Sequence, residues 1–190
     1  MPEKSKNSSS QFLDSAENVI KQSEGLPPVK SWNPPLSGDL DMRITRDGAW
    51  HYEGSAIGRP AIVRLFSRIL RLDDDACFYL VTPVEKWRIQ VELAPFVAES
   101  VEVEGRGAEQ VLRFVTNVGE IVTADRACAI RVEVNPDSGE PTPFIHVRDG
   151  LDALLSRNVF YQLAEMAVEK KQGDRPVYGV VSAGEFFALV

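Results

Sequence analysis

The segment Val81-Thr82-Pro83-Val84-Glu85-Lys86-Trp87 returns at an offset of 100 positions as Val181-Ser182-Ala183-Gly184-Glu185-Phe186-Phe187, keeping a valine, a hydroxyl residue, a glutamate and an aromatic in place. Phe78/Tyr178, Leu80/Val180 and Ile89/Leu189 extend the match, and Trp50-His51-Tyr52 corresponds to Ile145-His146-Val147. The chain's two histidines then take one strand position in both copies. Such a repeat limits the fold, because both copies must pass through the same elements in the same order. It predicts an α+β protein made by tandem duplication of a strand-strand-helix-strand-strand unit, spanning 41–92 and 129–190. Extra strands enlarge the C-terminal half into an antiparallel curved sheet plus a helix. The expected divisions are 1–25, a tail and amphipathic helix; 26–94, the N-terminal repeat; and 95–190, the C-terminal repeat.

The register of the first hairpin follows from its pattern. A two-residue turn at Asp47-Gly48 would mix Met42 and Ile44 with His51 and Glu53 on one face. A three-residue loop, Arg46-Asp47-Gly48 with Gly48 left-handed, instead pairs Ile44 with Trp50 and Met42 with Tyr52, giving one apolar face. After Gly58-Arg59-Pro60, the residues Ile62, Leu65, Phe66, Ile69 and Leu70 recur at helical spacing behind a proline suited to a first turn. Strands are expected at Cys77–Thr82 and Trp87–Glu92, then near 97–104, 109–116, 120–123, 129–134 and 144–148. A helical region is expected from Leu151, broken near Ser156, with Asn158 capping Val159–Lys170. Strands at 177–181 and 185–190 close the chain. Upstream, Phe12, Leu13, Ala16, Val19 and Ile20 share a helical face, and residues 1–10 bury too little to offset their ordering entropy. From Leu26 to Gly38, four prolines deny helix and central strand and leave an extended arm anchored by Trp32.

Composition excludes several function classes. The 190 residues are 44% hydrophobic and 26% charged, the range of ordinary globular chains. No apolar run approaches the length of a membrane helix and the N-terminus lacks a secretory h-region, which predicts a cytoplasmic protein that does not enter a membrane. A net charge of −7 repels a phosphate backbone, so nucleic acid is not an expected partner. Cys77 and Cys128 lie in apolar stretches without CxxC spacing, reading as buried thiols and not as a zinc or redox site.

The stretches Leu-Pro-Pro-Val-Lys-Ser-Trp-Asn-Pro-Pro-Leu-Ser-Gly-Asp (26–39), Arg-Asp-Gly-Ala-Trp-His-Tyr-Glu-Gly (46–54), Ile-Gly-Arg-Pro (57–60), Val-Arg-Leu-Phe-Ser-Arg-Ile-Leu-Arg (63–71), Phe-Tyr-Leu-Val-Thr-Pro-Val-Glu-Lys-Trp (78–87) and Asp-Gly-Leu-Asp-Ala-Leu-Leu-Ser-Arg-Asn-Val-Phe-Tyr (149–161) stand in order along the chain. They resemble the bacterial "domain of unknown function 1285" family over residues 26–190. The resemblance implies a duplicated α+β unit whose C-terminal half is superficially like pleckstrin-homology domains. It implies a ligand pocket between the halves and a role in signalling, and it brings no activity with it.

Among residues that could carry chemistry, His51 and His146 titrate near neutrality and could act as a base or switch; their plainer role is a strand-surface histidine bonded to a neighbour. Arg59, Arg64, Arg68 and Arg71 cluster around the first helix and Arg157 precedes the second. Their guanidinium forks suit carboxylate or phosphate, and their ordinary alternative is pairing with Asp73, Asp74 or other acids. Trp32, Tyr79 and Tyr161 could wall a pocket, whereas Trp50 and Trp87 read as core. Asp73-Asp74-Asp75 reads as a solvated turn, Gly105-Arg106-Gly107 as a hairpin turn, and Glu85 with Glu185 supports no catalytic pair.

The expected ligand-binding set is therefore Trp32, Arg59, Arg64, Tyr79, Arg157 and Tyr161, at a site between the repeats, with no catalytic residue, metal or cofactor assigned. The leading expectation is a noncatalytic, regulatory or signalling protein that binds a small anionic ligand or peptide. The alternatives are a cleft enzyme using Glu85, His51 or His146 in acid-base chemistry, and a protein interaction adaptor working through a sheet edge or the N-terminal helix.

Overall fold

The structure is a computed structural model that describes residues 12, 15–18, 25–173 and 175–189. It divides into two compact units, one of residues 1–45 with 49–92 and one of residues 46–48 with 93–190. No helix among the described residues is long and apolar enough to cross a membrane. The expected tail at 1–10, and Leu13, Val19 and Ile20 of the first helical face, lie outside the described residues; Phe12 and Ser15–Asn18 are helical.

In the first unit β1 (Leu36–Ile44), β2 (Trp50–Tyr52) and β3 (Ser55–Ala56) form an antiparallel meander, α1 (Pro60–Arg68) follows, and β4 (Leu70–Leu72), β5 (Phe78–Val81) and β6 (Lys86–Val91) form a second. The crossover through α1 brings β6 beside β1 in parallel, giving the order β3-β2-β1-β6-β5-β4. The hairpin register is the expected one: Ile44 faces Trp50, Met42 faces Tyr52, and Gly48 has φ +81°. Ile44, Trp50 and Met42 are buried and Arg43 is exposed. Trp50 stacks on Phe66 of α1 with centroids 6.2 Å apart, and Phe12 stacks on the same ring at 6.1 Å. The apolar stripe expected to run as helix through Leu70 changes element there, since α1 ends at Arg68 and Leu70 opens β4.

The second unit opens with β7 (Phe96–Glu104), β8 (Val111–Thr116) and β9 (Ile121–Thr123) and continues with β10 (Ile130–Val134), β11 (Pro141–Arg148) and β12 (Leu151–Leu155). Its six-stranded sheet runs β10-β11-β12-β7-β8-β9, with β12 and β7 parallel. Both six-stranded sheets thus place their first and last strands side by side in the middle, with an antiparallel meander on each flank. After β12 come α2 (Arg157–Glu165) and a separate three-stranded meander of β13 (Val168–Gln172), β14 (Arg175–Ser182) and β15 (Glu185–Ala188). Residues 41–92 and 129–189 therefore share one element order, meander, helix, meander, within an α+β fold. Val81 ends β5 and Val181 is the last residue but one of β14, each strand being the middle one of its second meander. The pairing differs: β1 bonds β6 in the first unit, whereas in the second unit β10 and β15 are in contact but belong to separate sheets.

Three local departures from expectation have physical causes. Each meander of the first unit has three strands instead of two, the extra ones being β3 and β4, only two and three residues long and too short to show alternation. Leu151–Leu155 is a strand and not the start of a helix. Asp149 and Gly150, with φ +52° and +80°, form a two-residue turn of the type that matches strand twist and folds the segment back on β11. Burial then alternates strictly along Leu151–Leu155, so tertiary pairing overrides the helix propensity of Leu and Ala. The cap of α2 is Ser156, whose hydroxyl accepts the Val159 N–H at 3.4 Å, and Asn158 sits inside the helix. The chain leaves the helical state at Met166, and Val168–Gln172 pairs with β14.

Candidate functional site

Arg157, Phe160 and Tyr161 lie at i, i+3 and i+4 on α2 and so project along one side of its first turn. Val159 and Leu163, on the buried side, pack the helix against β7 and β14. The projecting side chains line a groove of about 470 Å³, closed by Glu140 and the start of β11 at Pro141–Pro143, by the end of β12 at Leu154–Leu155, and by Arg46, which belongs to this unit. Arg157 is exposed at the first position of α2, where unbonded N–H groups and the helix dipole add positive potential. Tyr161 is 58% exposed and half-buried Phe160 supplies a flat apolar wall. Two guanidiniums, one carboxylate and two aromatic rings thus share one concavity, able to take an anion through the arginines and a ring against the aromatics.

The other expected binding residues fall in the first unit. Trp32 lines an open cleft of about 580 Å³ with Lys30, Asn33, Arg71 and Asp73–Asp75. Arg71 pins the proline-rich arm there, donating to the carbonyls of Val29 at 2.9 Å and Trp32 at 2.7 Å while pairing with Asp73 at 2.5 Å. Three aspartates make this cleft a poor host for an anion. Tyr79 is buried on β5; its hydroxyl donates to Asp75 at 2.6 Å and its ring lies 4.4 Å beneath the Lys86 ammonium. The hydrogen bond to Asp75, with burial second, pushes its pKa up to about 12. Arg59 caps α1 from an extended conformation and Arg64 lies within that helix; both are exposed and neither lines the groove or the Trp32 cleft.

His146 is the plainer kind of histidine. Its Nδ1 lies 3.1 Å from Asp152 Oδ1 across the β11–β12 pair, and the other oxygen of Asp152 accepts from Arg131 at 3.0 Å. Glu85 accepts from the Trp87 indole at 2.8 Å and Glu185 pairs with Arg126 at 3.1 Å, so the repeated glutamates have separate partners. Cys77 and Cys128 are free and half-buried; burial pushes the Cys128 thiol up. Among the described residues no group of three or more His, Cys, Asp and Glu is placed to hold a metal ion.

Of the residues expected from the sequence, Arg157 and Tyr161 line the groove; Arg46, Glu140 and Phe160 line it without having been expected. The spacing of Arg157, Phe160 and Tyr161 was available as a signal. Arg46 and Glu140 sit at turns whose position depends on how the strands pair, which no local pattern reveals.

The description "Domain of unknown function (DUF1285), N-terminal domain" matches residues 27–94, and "Protein of unknown function (DUF1285), C-terminal domain" matches residues 95–189. Among solved structures, the chain is similar to a DUF1285 family protein from Silicibacter pomeroyi, with 50% identity, 93% of each chain covered and a TM-score of 0.82. It also matches a DUF1285 family protein from Shewanella baltica, with 26% identity, 65% of this chain and 89% of that one covered, and a TM-score of 0.49. No curated protein matches the chain.

Proposed function

We propose that this chain, which belongs to the DUF1285 family, is a binding protein for a small anionic ligand or peptide carrying an aromatic or apolar group. The observation that carries this reading is the placement of Arg46 and Arg157 in one groove with Phe160 and Tyr161. Arginine forks match carboxylate or phosphate oxygens two at a time, the α2 N-terminus reinforces the charge, and an aromatic wall takes the rest of the ligand. Glu140 at the rim favours ligands that also carry a cation or donor, such as a peptide terminus. His146 and Asp152 do not line the groove, so the acid-base chemistry of an enzyme has less support than binding.

Calorimetric titration with phenyl phosphate and with benzoate tests it, since each joins a ring to one of the two anion types. Saturable binding that is lost in Arg157→Ala and in Arg46→Ala, with melting temperatures unchanged, is the expected result. A surface guanidinium contributes little to stability, so the two measurements separate site from fold. Equal binding by the wild type and both variants sinks the reading.

A further inference from the structure

The first unit contains a second concavity of opposite chemistry. Leu40 and Met42 of β1, Tyr52 of β2 and Ile57 after β3 face Ile62 and Phe66 of α1 across a cavity of about 130 Å³, and Phe12 completes the lining. Every lining side chain among the described residues is apolar or aromatic. The one hydroxyl among them, on Tyr52, donates to the Glu53 carboxylate at 3.1 Å. Two of the lining rings belong to a larger cluster behind them: Phe12 lies parallel to Phe66, Phe66 lies nearly parallel to Trp50 at 6.2 Å, and Trp87 meets Phe12 edge-on at 6.4 Å. The Trp50 indole N–H, buried in this ring cluster, is the one buried side-chain polar atom among the described residues that has no hydrogen-bond partner.

Water gains little in such a space, because it needs two or more polar partners and the described lining offers at most the Tyr52 hydroxyl, already bonded to Glu53. An empty void, in turn, forfeits dispersion contacts on every lining atom. The occupant that recovers those contacts without leaving a polar group unpaired is apolar, and the volume fixes its size: an apolar cavity of about 150 Å³ takes up benzene. We infer that the first unit carries a binding site for a small apolar molecule of about one ring, closed by Phe12. The site is chemically independent of the arginine groove, and either can fail without the other.

The full chain is titrated with benzene while its melting temperature and tryptophan emission are followed. A ligand held by the native state alone raises the melting temperature by about 3 °C at ten times its dissociation constant. Ile62→Phe and Leu40→Phe fill the cavity from α1 and from β1. Each is expected to abolish the benzene-dependent rise and to keep a melting temperature at or above the wild-type value without benzene. The second variant decides the matter where the first does not fold. Phe12→Ala removes the closing wall and is expected to admit naphthalene, which the wild type excludes. No rise at saturating benzene, or a rise that persists in the filled variants, overturns the site; equal naphthalene binding by wild type and Phe12→Ala overturns the role of Phe12.

Discussion

The backbone N–H of Leu112 on β8 donates to the hydroxyl of Ser182 at the end of β14, at 2.9 Å, with both residues fully buried. The Ser182 hydroxyl in turn donates a hydrogen bond to the Ala124 carbonyl at 2.6 Å, so one side chain bonds the three-stranded sheet to β8 and to the segment after β9. Gln110 adds two bonds beside it, to the carbonyl of Val181 at 2.7 Å and from the N–H of Ala183 at 2.8 Å. Thr82, the counterpart of Ser182 in the first copy, spends its hydroxyl on Glu85 within its own turn. The repeat conserves a position and changes what it holds.

Ser182→Ala is therefore expected to cost about 1–3 kcal/mol, because it strands a buried N–H and a buried carbonyl. Thr82→Ala breaks a local bond in a turn whose backbone pairing survives, and is expected to cost about 1 kcal/mol or less. Urea midpoints of the two variants check the asymmetry. Equal losses would show that Ser182 does no more than close its turn.

Gly48 carries two constraints at once. Its φ of +81° would strain any side chain, and a Cβ there would stand 2.6 Å from Asn117 Nδ2 and 2.8 Å from a Val97 methyl. Asn117 cannot yield cheaply, since its amide donates to the Gly48 carbonyl at 3.0 Å and its Oδ1 accepts the Val97 N–H at 3.0 Å. Adding strain of about 1 kcal/mol to a displaced bond of similar size, Gly48→Ala is expected to cost at least about 2 kcal/mol. A denaturation midpoint within error of the wild type would contradict this.

How far the fold was legible depends on whether the signal was local. The Ile44/Trp50 register could be read because one slip would have moved a whole apolar face to solvent. Val81 and Val181 could be matched because their turns kept residue types at fixed spacing. Leu151–Leu155 could not be read from composition, since its residues favour helix and only the Asp149-Gly150 turn and the parallel partner β7 make it a strand. The groove was half legible for the same reason: Arg157 and Tyr161 share a helix turn, whereas Arg46 arrives from far along the chain.

Tyr79 gives an optical test of its contact with Asp75. The carboxylate accepting its proton, with burial, disfavours the phenolate and raises the pKa to about 12. A group raised in the folded state stabilises fully below its unfolded value of about 10, and that contribution is lost as pH rises toward 12. Alkaline absorbance titration of the folded chain is expected to show a tyrosine ionising near pH 12, and Tyr79→Phe is expected to remove that step. Persistence of the step in the variant would assign it elsewhere.

Asp73 should contribute to the acid sensitivity of the first unit. Burial alone would push its carboxyl up, but hydrogen bonds from Arg71 and Lys86, at 2.5 and 2.8 Å, outweigh it and hold the pKa below the usual value. A depressed carboxylate stabilises fully above its unfolded pKa of about 3.9, and that stability drains away as pH falls through the lower folded value. The same Arg71 holds the arm through the Val29 and Trp32 carbonyls, so protonating Asp73 also loosens what orients that guanidinium. Asp73→Asn is expected to be less stable than the wild type at pH 7, and the gap should narrow steadily as the pH falls below about 4, where the wild type loses the charge that the variant never had. Denaturant midpoints followed by tryptophan emission across that range decide it. A gap that stays constant as the pH falls would mean that Asp73 acts through shape and not through charge.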